Sequence, residues 1–372
     1  MMRILRDYVL KEMMGPLLAS LAVFSFILLI GNMFKLADLL VNKGVDIKDV
    51  VKLFLYLIPY ILSYTIPMAI LTATMISFGR LASDNEVTAM RASGISLYKI
   101  GMPVVVVVFI ISLASIYLND RVLPASHFAS YKLIKEVGMK NPTAYLEPGV
   151  FIKSFKGYIV RIGSIEDEEL QDILIYQLQE KGPTRTIIAE RGNFKTFPGK
   201  NLIQLHLING TADEPNPNDP NMFYKLNFKT YDMTLDIETA LGKGKLQKKP
   251  KQMTIRELKD DIAGLKATGA DSQHIKNEIR ERVTEIHKKL AMAFSSFAFV
   301  LVGLPLAINT RRREKSVGFG LSLVVSTIYY LIFIGGQALT LRNVIPPIIG
   351  VWVANLIYFI IGVVLIFIII EK

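Results

Sequence analysis

The sequence has no cysteine, which excludes disulfides, thiolate catalysis and cysteine zinc sites. Its four histidines, at 127, 206, 274 and 287, are scattered without metal-ligand spacing. There is no Gly-x4-Gly-Lys-Ser/Thr loop to cradle nucleotide phosphates and no His-Glu-x-x-His zinc helix. The most informative shortage is local. Six runs contain no Asp, Glu, Lys or Arg: Met13 to Phe34, Leu53 to Gly79, Ile100 to Asn119, Leu290 to Thr310, Ser316 to Leu341 and Asn343 to Ile370.

Each run is long enough to cross a hydrocarbon core of about 30 Å at about 1.5 Å per helical residue. In lipid only a helix satisfies its own backbone amides within one segment, so the runs predict six transmembrane helices, three on each side of a polar stretch. Pro59 and Pro67 in the second run predict tilt or a kink there. Orientation follows from the positive-inside bias. With a cytoplasmic N-terminus, the inner segments carry Arg3, Arg6, Lys11, Arg80, Arg91, Lys99, Arg311, Arg312, Arg313, Lys315 and Lys372, whereas the short outer loops carry only Lys43, Lys48 and Arg342. Both termini are then inside and residues 124 to 287 outside. The first run is too long, and lacks the small-residue end, for a cleaved signal peptide. The net charge of +11 suits basic inner loops, and no basic stripe with interleaved aromatics points to nucleic acid.

The outer stretch is patterned for strands. Ile203, Leu205 and Leu207 alternate with polar residues, as do Tyr224, Leu226 and Phe228, and past Thr230 the alternation shifts by one, which predicts a bulge. Further strands are predicted at Val150 to Phe155, Tyr158 to Ile165, Ile173 to Gln179 and Thr186 to Phe197. Pro124 and an amphipathic helix over Ser126 to Val137 precede them. Many short strands without intervening helices favour a sandwich, jelly roll or half-open barrel. Strands apolar on both faces, such as Ile173 to Leu178, fit either a buried core or an acyl-binding groove. A lysine-rich linker, Lys243 to Lys251, leads into helices at Thr254 to Ala267 and Asp271 to Lys289, the latter running into the fourth span.

No catalytic constellation is present, so energy for any transport must come from another subunit. The inner loop between the second and third spans, Ser83-Asp-Asn-Glu-Val-Thr-Ala-Met-Arg-Ala-Ser-Gly94, reads as a short helix with Ser83 as N-cap, Glu86 as its capping-box partner and Gly94 as its stop. About ten residues is too short for a stable helix in water, so this one needs a docking surface. Glu86 is then both a local cap and a charge offered to a cytoplasmic partner.

That helix, together with Ile66-Pro-Met-Ala69, Lys35 closing the first span and Ile345-Pro-Pro-Ile-Ile-Gly350 opening the last, resembles the LptF/LptG permeases of lipopolysaccharide export. Lys35 and the 345 to 350 stretch lean toward LptG. The resemblance covers the whole chain. It implies an α+β membrane protein: residues 1–123 with three spans and a coupling helix at about 83–94, a periplasmic β jelly-roll-like domain at 124–253, a periplasmic helical linker at 254–288 and three further spans at 289–372. It further implies a non-enzymatic, multi-pass subunit of an ATP-binding-cassette exporter in the bacterial inner membrane. The partners implied are a cytoplasmic ATPase dimer, a second permease that is a paralogue or another copy, a periplasmic jelly-roll bridge protein and lipopolysaccharide. ATP and Mg belong to the ATPase, and this chain binds no cofactor. Carried over by motif, Glu86 is the coupling acid, with Asp84, Asn85 and Arg91 beside it, and Lys35 meets the phosphorylated head of the substrate. The family's further basic residues just after that point are not reproduced: Val41 and Asn42 stand near that place, with Lys43 displaced by about one position. From their place near the outer face, Lys43, Lys52 and Arg342 are expected to extend the head-group contact.

Read from the residues alone, Lys35, Lys43, Lys48, Lys52, Arg121, Lys288, Lys289 and Arg342 fall near the outer face, either as snorkelling anchors or as a basic collar for an anionic lipid head. A scaffold that relays ATPase state without moving lipid shares the ATPase contact and stays open. A membrane-embedded lipid-modifying enzyme, lacking clustered polar groups, ranks last.

Overall fold

The computed structural model describes residues 2–41, 45–140, 148–152, 157–166, 169–178, 184–196, 202–216, 219–236, 248–267, 272–310 and 315–371. The chain is an α+β membrane protein with six helices long and apolar enough to cross a bilayer, and an antiparallel β domain between the third and the fourth. Two compact units are formed. One comprises the chain up to Phe34, Phe54–Ala129 and the residues from Lys248 onward; the other comprises Lys35–Leu53 and the chain from Ser130 through the strands.

The helices are α1 (Met2–Val41), α2 (Ile47–Ser83), the short α3 (Glu86–Ala92), α4 (Leu97–Tyr117), α5 (Leu123–Lys140), α6 (Ile255–Ala267), α7 (Gln273–Thr310), α8 (Lys315–Leu341) and α9 (Pro347–Glu371). In the helical unit α7 is central, packed on α4 and α9, with α9 also against α8. Buried aromatic rings hold this centre: Phe299 of α7 meets Tyr329 of α8 edge-on at 4.7 Å and Tyr358 of α9 at 5.8 Å. A polar chain is satisfied inside this centre: Tyr329 Oη donates to Asn355 Oδ1 at 2.8 Å, and Asn355 Nδ2 donates to the carbonyl of Ala291 at 2.9 Å. Gly336 and Gly350 let α8 and α9 touch backbone to backbone, for a Cβ on Gly336 would lie 2.0 Å from the Gly350 carbonyl oxygen. This contact gives the Ile345 to Gly350 stretch a packing role.

Pro124 does not separate the third span from the helix after it. A π turn, Leu118–Val122, joins α4 to α5, and the Leu123 N–H bonds to the carbonyl of Leu118. Widening the ladder immediately before a residue that has no N–H accommodates the proline without ending the helix. The same turn receives the chain on its return: Asp120 accepts the Ile255 N–H at 2.6 Å, and Lys289 of α7 donates to the carbonyls of Asn119 at 3.2 Å and Met253 at 2.8 Å. Thr254 caps α6 in a reciprocal box with Glu257, whose carboxylate accepts the Thr254 N–H at 2.8 Å.

In the β unit, β1 (Phe151–Ile152), β2 (Tyr158–Glu166), β3 (Glu169–Gln177), β4 (Arg185–Thr196), β5 (Leu202–Asn216) and β6 (Asp219–Asp236) form one antiparallel sheet paired in chain order. Its buried side includes Val160, Ile162, Leu170, Ile173, Ile175, Ile187, Leu205 and Leu207. The phase shift expected as a bulge at Thr230 has a different origin. The register is the same on both sides of this point, with Ile208↔Thr230 followed by Gly210↔Phe228, and the register shift between β5 and β6 falls at Pro215/Asn216 instead. What changes is the facing of five strands together. Gly163, Asp172, Glu190, Asn209 and Lys229 lie in one row across the sheet and are skipped in every ladder there. On β3 the buried residues are Leu170 before the row and Ile173 and Ile175 after it; on β5 they are Leu205 and Leu207 before it and Ala212 after it. Asp172 and Asn209 take the left-handed conformation, each with φ of 52°, which their residue types tolerate better than most. Gly163 stands in this crease because a Cβ there would lie 2.7 Å from that of Asp172. Each strand turns by one residue at the same level, so no residue is inserted.

Candidate functional site

The stretch with the strongest functional pattern, 83 to 94, is built as a one-turn break followed by a seven-residue helix. Ser83 is not its N-cap. Ser83 ends α2 and its hydroxyl donates back to the carbonyl of Arg80 at 2.9 Å, while the cap position belongs to Asn85, whose φ of 59° turns the chain into α3 without a side-chain cap bond. The expected capping box is therefore absent, because the left-handed turn at Asn85 places the helix start two residues later. Gly94 does end the helix. With φ of 80°, its N–H bonds to Arg91 O at 2.9 Å and the Ile95 N–H bonds to Met90 O at 3.0 Å, the paired bonds of a Schellman motif.

The docking surface that so short a helix requires is partly its own protein. Val87 is buried in the helical core and Met90 packs against it, whereas Thr88, Ala89, Arg91 and Ala92 stay exposed. Glu86 is half-buried and accepts a 2.7 Å hydrogen bond from the Tyr8 hydroxyl of α1. One turn further along α1, Glu12 pairs with Arg80 of α2 at 2.7 Å. Asp84 and Arg91 are exposed. Glu86, Asp84, Asn85 and Arg91 thus share one small projection, and Tyr8, Glu12 and Arg80 anchor it to α1. The three anchors carry no local signal in the sequence, since Tyr8 and Glu86 are 78 positions apart.

The cations expected at the outer face are less uniform. Lys35 is exposed on α1, Lys48 is exposed on α2, and Lys52 pairs with Asp49 at 2.9 Å. Arg342 is exposed at a second Schellman turn, formed at the end of α8 with Asn343 at φ of 63°. Lys43 lies outside the described residues. Arg121 and Lys288 sit beside Asp120 and Glu285 at 3.7 and 3.5 Å. Lys289 is not part of an exposed collar: it is 5% exposed and its ammonium is used on backbone carbonyls. A buried ammonium held this way braces helices and is not available to a lipid head.

The family described as lipopolysaccharide export system permease LptF/LptG matches residues 7–367. The chain belongs to the LptF/LptG family. Two relatives, the lipopolysaccharide export system permease proteins LptF of Escherichia coli (strain K12) and of Shigella flexneri, are each 21% identical to it over 368 residues, 96% of this chain and 93% of theirs. Both are LptF, so the leaning toward LptG rests on Lys35 and the 345 to 350 stretch alone. With its six apolar helices, this LptF/LptG member is a multi-pass inner-membrane permease of lipopolysaccharide export. The 83 to 94 projection and the exposed Lys35 both lie inside the matched region.

Proposed function

We propose that this chain is a transmembrane subunit of an ATP-binding-cassette exporter that draws lipopolysaccharide out of the outer leaflet of the inner membrane and passes it to a periplasmic protein bridge. Its termini and α3 are cytoplasmic, its β unit is periplasmic, and it works beside a second permease on an ATPase dimer that uses ATP and Mg. The observation that carries this reading is the construction at α3: a helix too short to stand alone, anchored on one side by Val87, with Thr88, Ala89 and Arg91 left open on the other and Glu86 held by Tyr8. A groove on the ATPase would take that open side. The Glu12–Arg80 and Tyr8–Glu86 contacts would then pass ATPase motion into α1, the helix that carries Lys35. Lys35, with Lys43, Lys52 and Arg342, supplies the cations for the phosphorylated head.

Photocrosslinking in cells tests this reading, with probes at Lys35, at Ile203 and at Glu86 and with ATP present or depleted. Lipopolysaccharide adducts at Lys35 and Ile203, the latter requiring ATP, together with an ATPase adduct at Glu86, are expected. An ATPase adduct without lipid at either outer position would favour a scaffold that relays ATPase state, and Glu86→Arg that leaves the ATPase bound would remove the coupling role.

A further inference from the structure

Beside the coupling projection a cleft of about 920 Å³ opens between the start of α1, the start of α4 and the turn that joins α3 to α4. Its two long walls are single helix faces. On α1 the lining residues Arg3, Arg6, Asp7 and Leu10 follow i, i+3, i+4, i+7 spacing, and on α4 Lys99, Met102, Val106 and Val107 follow i, i+3, i+7, i+8. Ser93, Gly94 and Ile95 close one end.

Chemistry is sorted along the length of the cleft. Its mouth holds the cations Arg3, Arg6 and Lys99 against one carboxylate, Asp7, which Arg6 already binds at 2.8 Å. Arg3 and Lys99 have no ion pair among the described residues, so the mouth has an excess of positive charge. Below it the α4 wall turns apolar, and Met102, Val106 and Val107 remain exposed although they lie on the third span. The opposite face of α4 is occupied by the protein core through Ile100, Val104 and Val108. From Lys99 to Val107 the wall runs about 12 Å, most of one leaflet of a core about 30 Å thick.

We propose that this cleft binds an anionic phospholipid of the leaflet on the side of the termini, with its phosphate at Arg3 and Lys99 and an acyl chain along Met102, Val106 and Val107. A phosphate alone would have no use for the apolar wall, and a soluble protein would cover the mouth and leave the wall bare. Basic pockets between membrane helices on the cytoplasmic side suit this chemistry. The leaflet assignment rests on the topology proposed above. Because Ser93 and Gly94 end α3, the lipid head would also brace the coupling projection from below.

Native mass spectrometry of the detergent-purified, ATPase-bound permease complex, titrated with phosphatidylglycerol or phosphatidylethanolamine, tests the site. The complex should retain phosphatidylglycerol in preference. Removal of two cations by Arg3→Ala with Lys99→Ala should weaken retention on the order of thirty-fold, and Val106→Phe, which fills the wall without changing charge or adding a second tryptophan, should weaken it as well. Equal retention of the two lipids overturns the proposal, as does wild-type retention by both variants. Phosphatidylglycerol held by the isolated chain but not by the complex would assign the mouth to the protein partner and overturn it too. Both variants must keep the emission spectrum of Trp352 for these outcomes to count. Since the chain has no cysteine, Ser93→Cys can be labelled without background. Labelling by an impermeant maleimide from outside intact cells would overturn the topology and the leaflet, whereas lipid preference is decided by the mass spectra alone.

Discussion

Substituting Gly336 by alanine tests the backbone contact that holds the last two spans together. The new methyl would sit 2.0 Å from the Gly350 carbonyl oxygen, 3.0 Å from its carbon and 3.1 Å from Val353 Cγ1. Two of these neighbours are main chain, so no rotamer change relieves the clash. Reaching the 3.4 Å of ordinary contact means parting α8 and α9 by about 1.4 Å at the crossing. Beyond the crossing, Arg280 of α7 bridges the α8–α9 connection, donating to the carbonyls of Thr340 at 3.3 Å and Ile345 at 3.0 Å, and a displaced α9 strains that bridge. Overpacking of this kind costs about 3 kcal/mol, which at about 2–4 °C per kcal/mol lowers the melting temperature by roughly 6–12 °C. The neighbouring Gly335 is the control, for a Cβ there meets nothing within 4 Å. Gly335→Ala should be neutral, or stabilising by up to about 1 kcal/mol through helix propensity. The single tryptophan, Trp352, lies on α9 two residues past the contact and donates its indole N–H toward His287 at 3.4 Å, so thermal melts in detergent followed by tryptophan emission report on this crossing. A Gly336→Ala protein that melts within about 2 °C of wild type, or a Gly335→Ala protein equally damaged, would refute the reasoning.

Tyr8→Phe keeps the ring and removes the hydroxyl that holds Glu86; with the bond near the surface its loss is worth about 1 kcal/mol, and on the proposed coupling role the permease should bind the proposed ATPase partner about five-fold more weakly in a titration. Gly210→Ala forces a methyl to within 2.4 Å of both the Ile188 carbonyl and the Phe228 ring, so the β unit should become more protease-sensitive by about 2 kcal/mol while the helical unit keeps its protection. Lys289→Ala leaves the carbonyls of Asn119 and Met253 without their donor and opens a cavity, lowering stability by about 3 kcal/mol in detergent melts, with Lys289→Met losing less because volume is retained. At α6, partial burial pushes the Glu257 carboxyl upward, but the bonds from Lys248 at 2.5 Å and from Thr254 outweigh it and hold it below the usual carboxylate range. A carboxyl depressed on folding contributes stability above its unfolded value near 4.5 and loses it as pH falls through the folded value. Glu257→Gln should therefore flatten the acid limb below that pH, by under about 1 kcal/mol because both side chains are more than a third exposed.

The spans were legible because lipid tolerates so few charges, and that signal needs no knowledge of which helices meet. The α6 helix and the first half of α7 could be read for a related reason, through locally helix-forming sequence and, in α7, the apolar spacing of Ile275, Ile279, Val283 and Ile286. Contacts between distant residues could not be read. Tyr8 and Glu12 look like ordinary juxtamembrane residues until α1 is laid beside the end of α2, and the cleft at Arg3 and Lys99 exists only once α1 and α4 share an end. At residues 83 to 85 the sequence pattern was misleading, since Ser83 and Glu86 have capping-box spacing and a left-handed Asn85 redirects the chain first. At Thr230 the pattern shift was real and its cause was not local: a single strand cannot reveal that its neighbours turn at the same level. Lys289 looked like a surface anchor because sequence does not show that the π turn offers it the carbonyl of Asn119 and the returning chain that of Met253.

The crease across the β unit divides the sheet into two halves whose inward positions follow opposite parity along each strand from β2 to β6. An insertion or deletion confined to one strand would slide its two halves against the crease and turn one half inside out, whereas connections between strands can lengthen freely. Change in this sheet is thus confined to substitutions within a row and to loops at its rim. Any re-engineering of the inner surface must assign alternate positions afresh on each side of Gly163, Asp172, Glu190, Asn209 and Lys229.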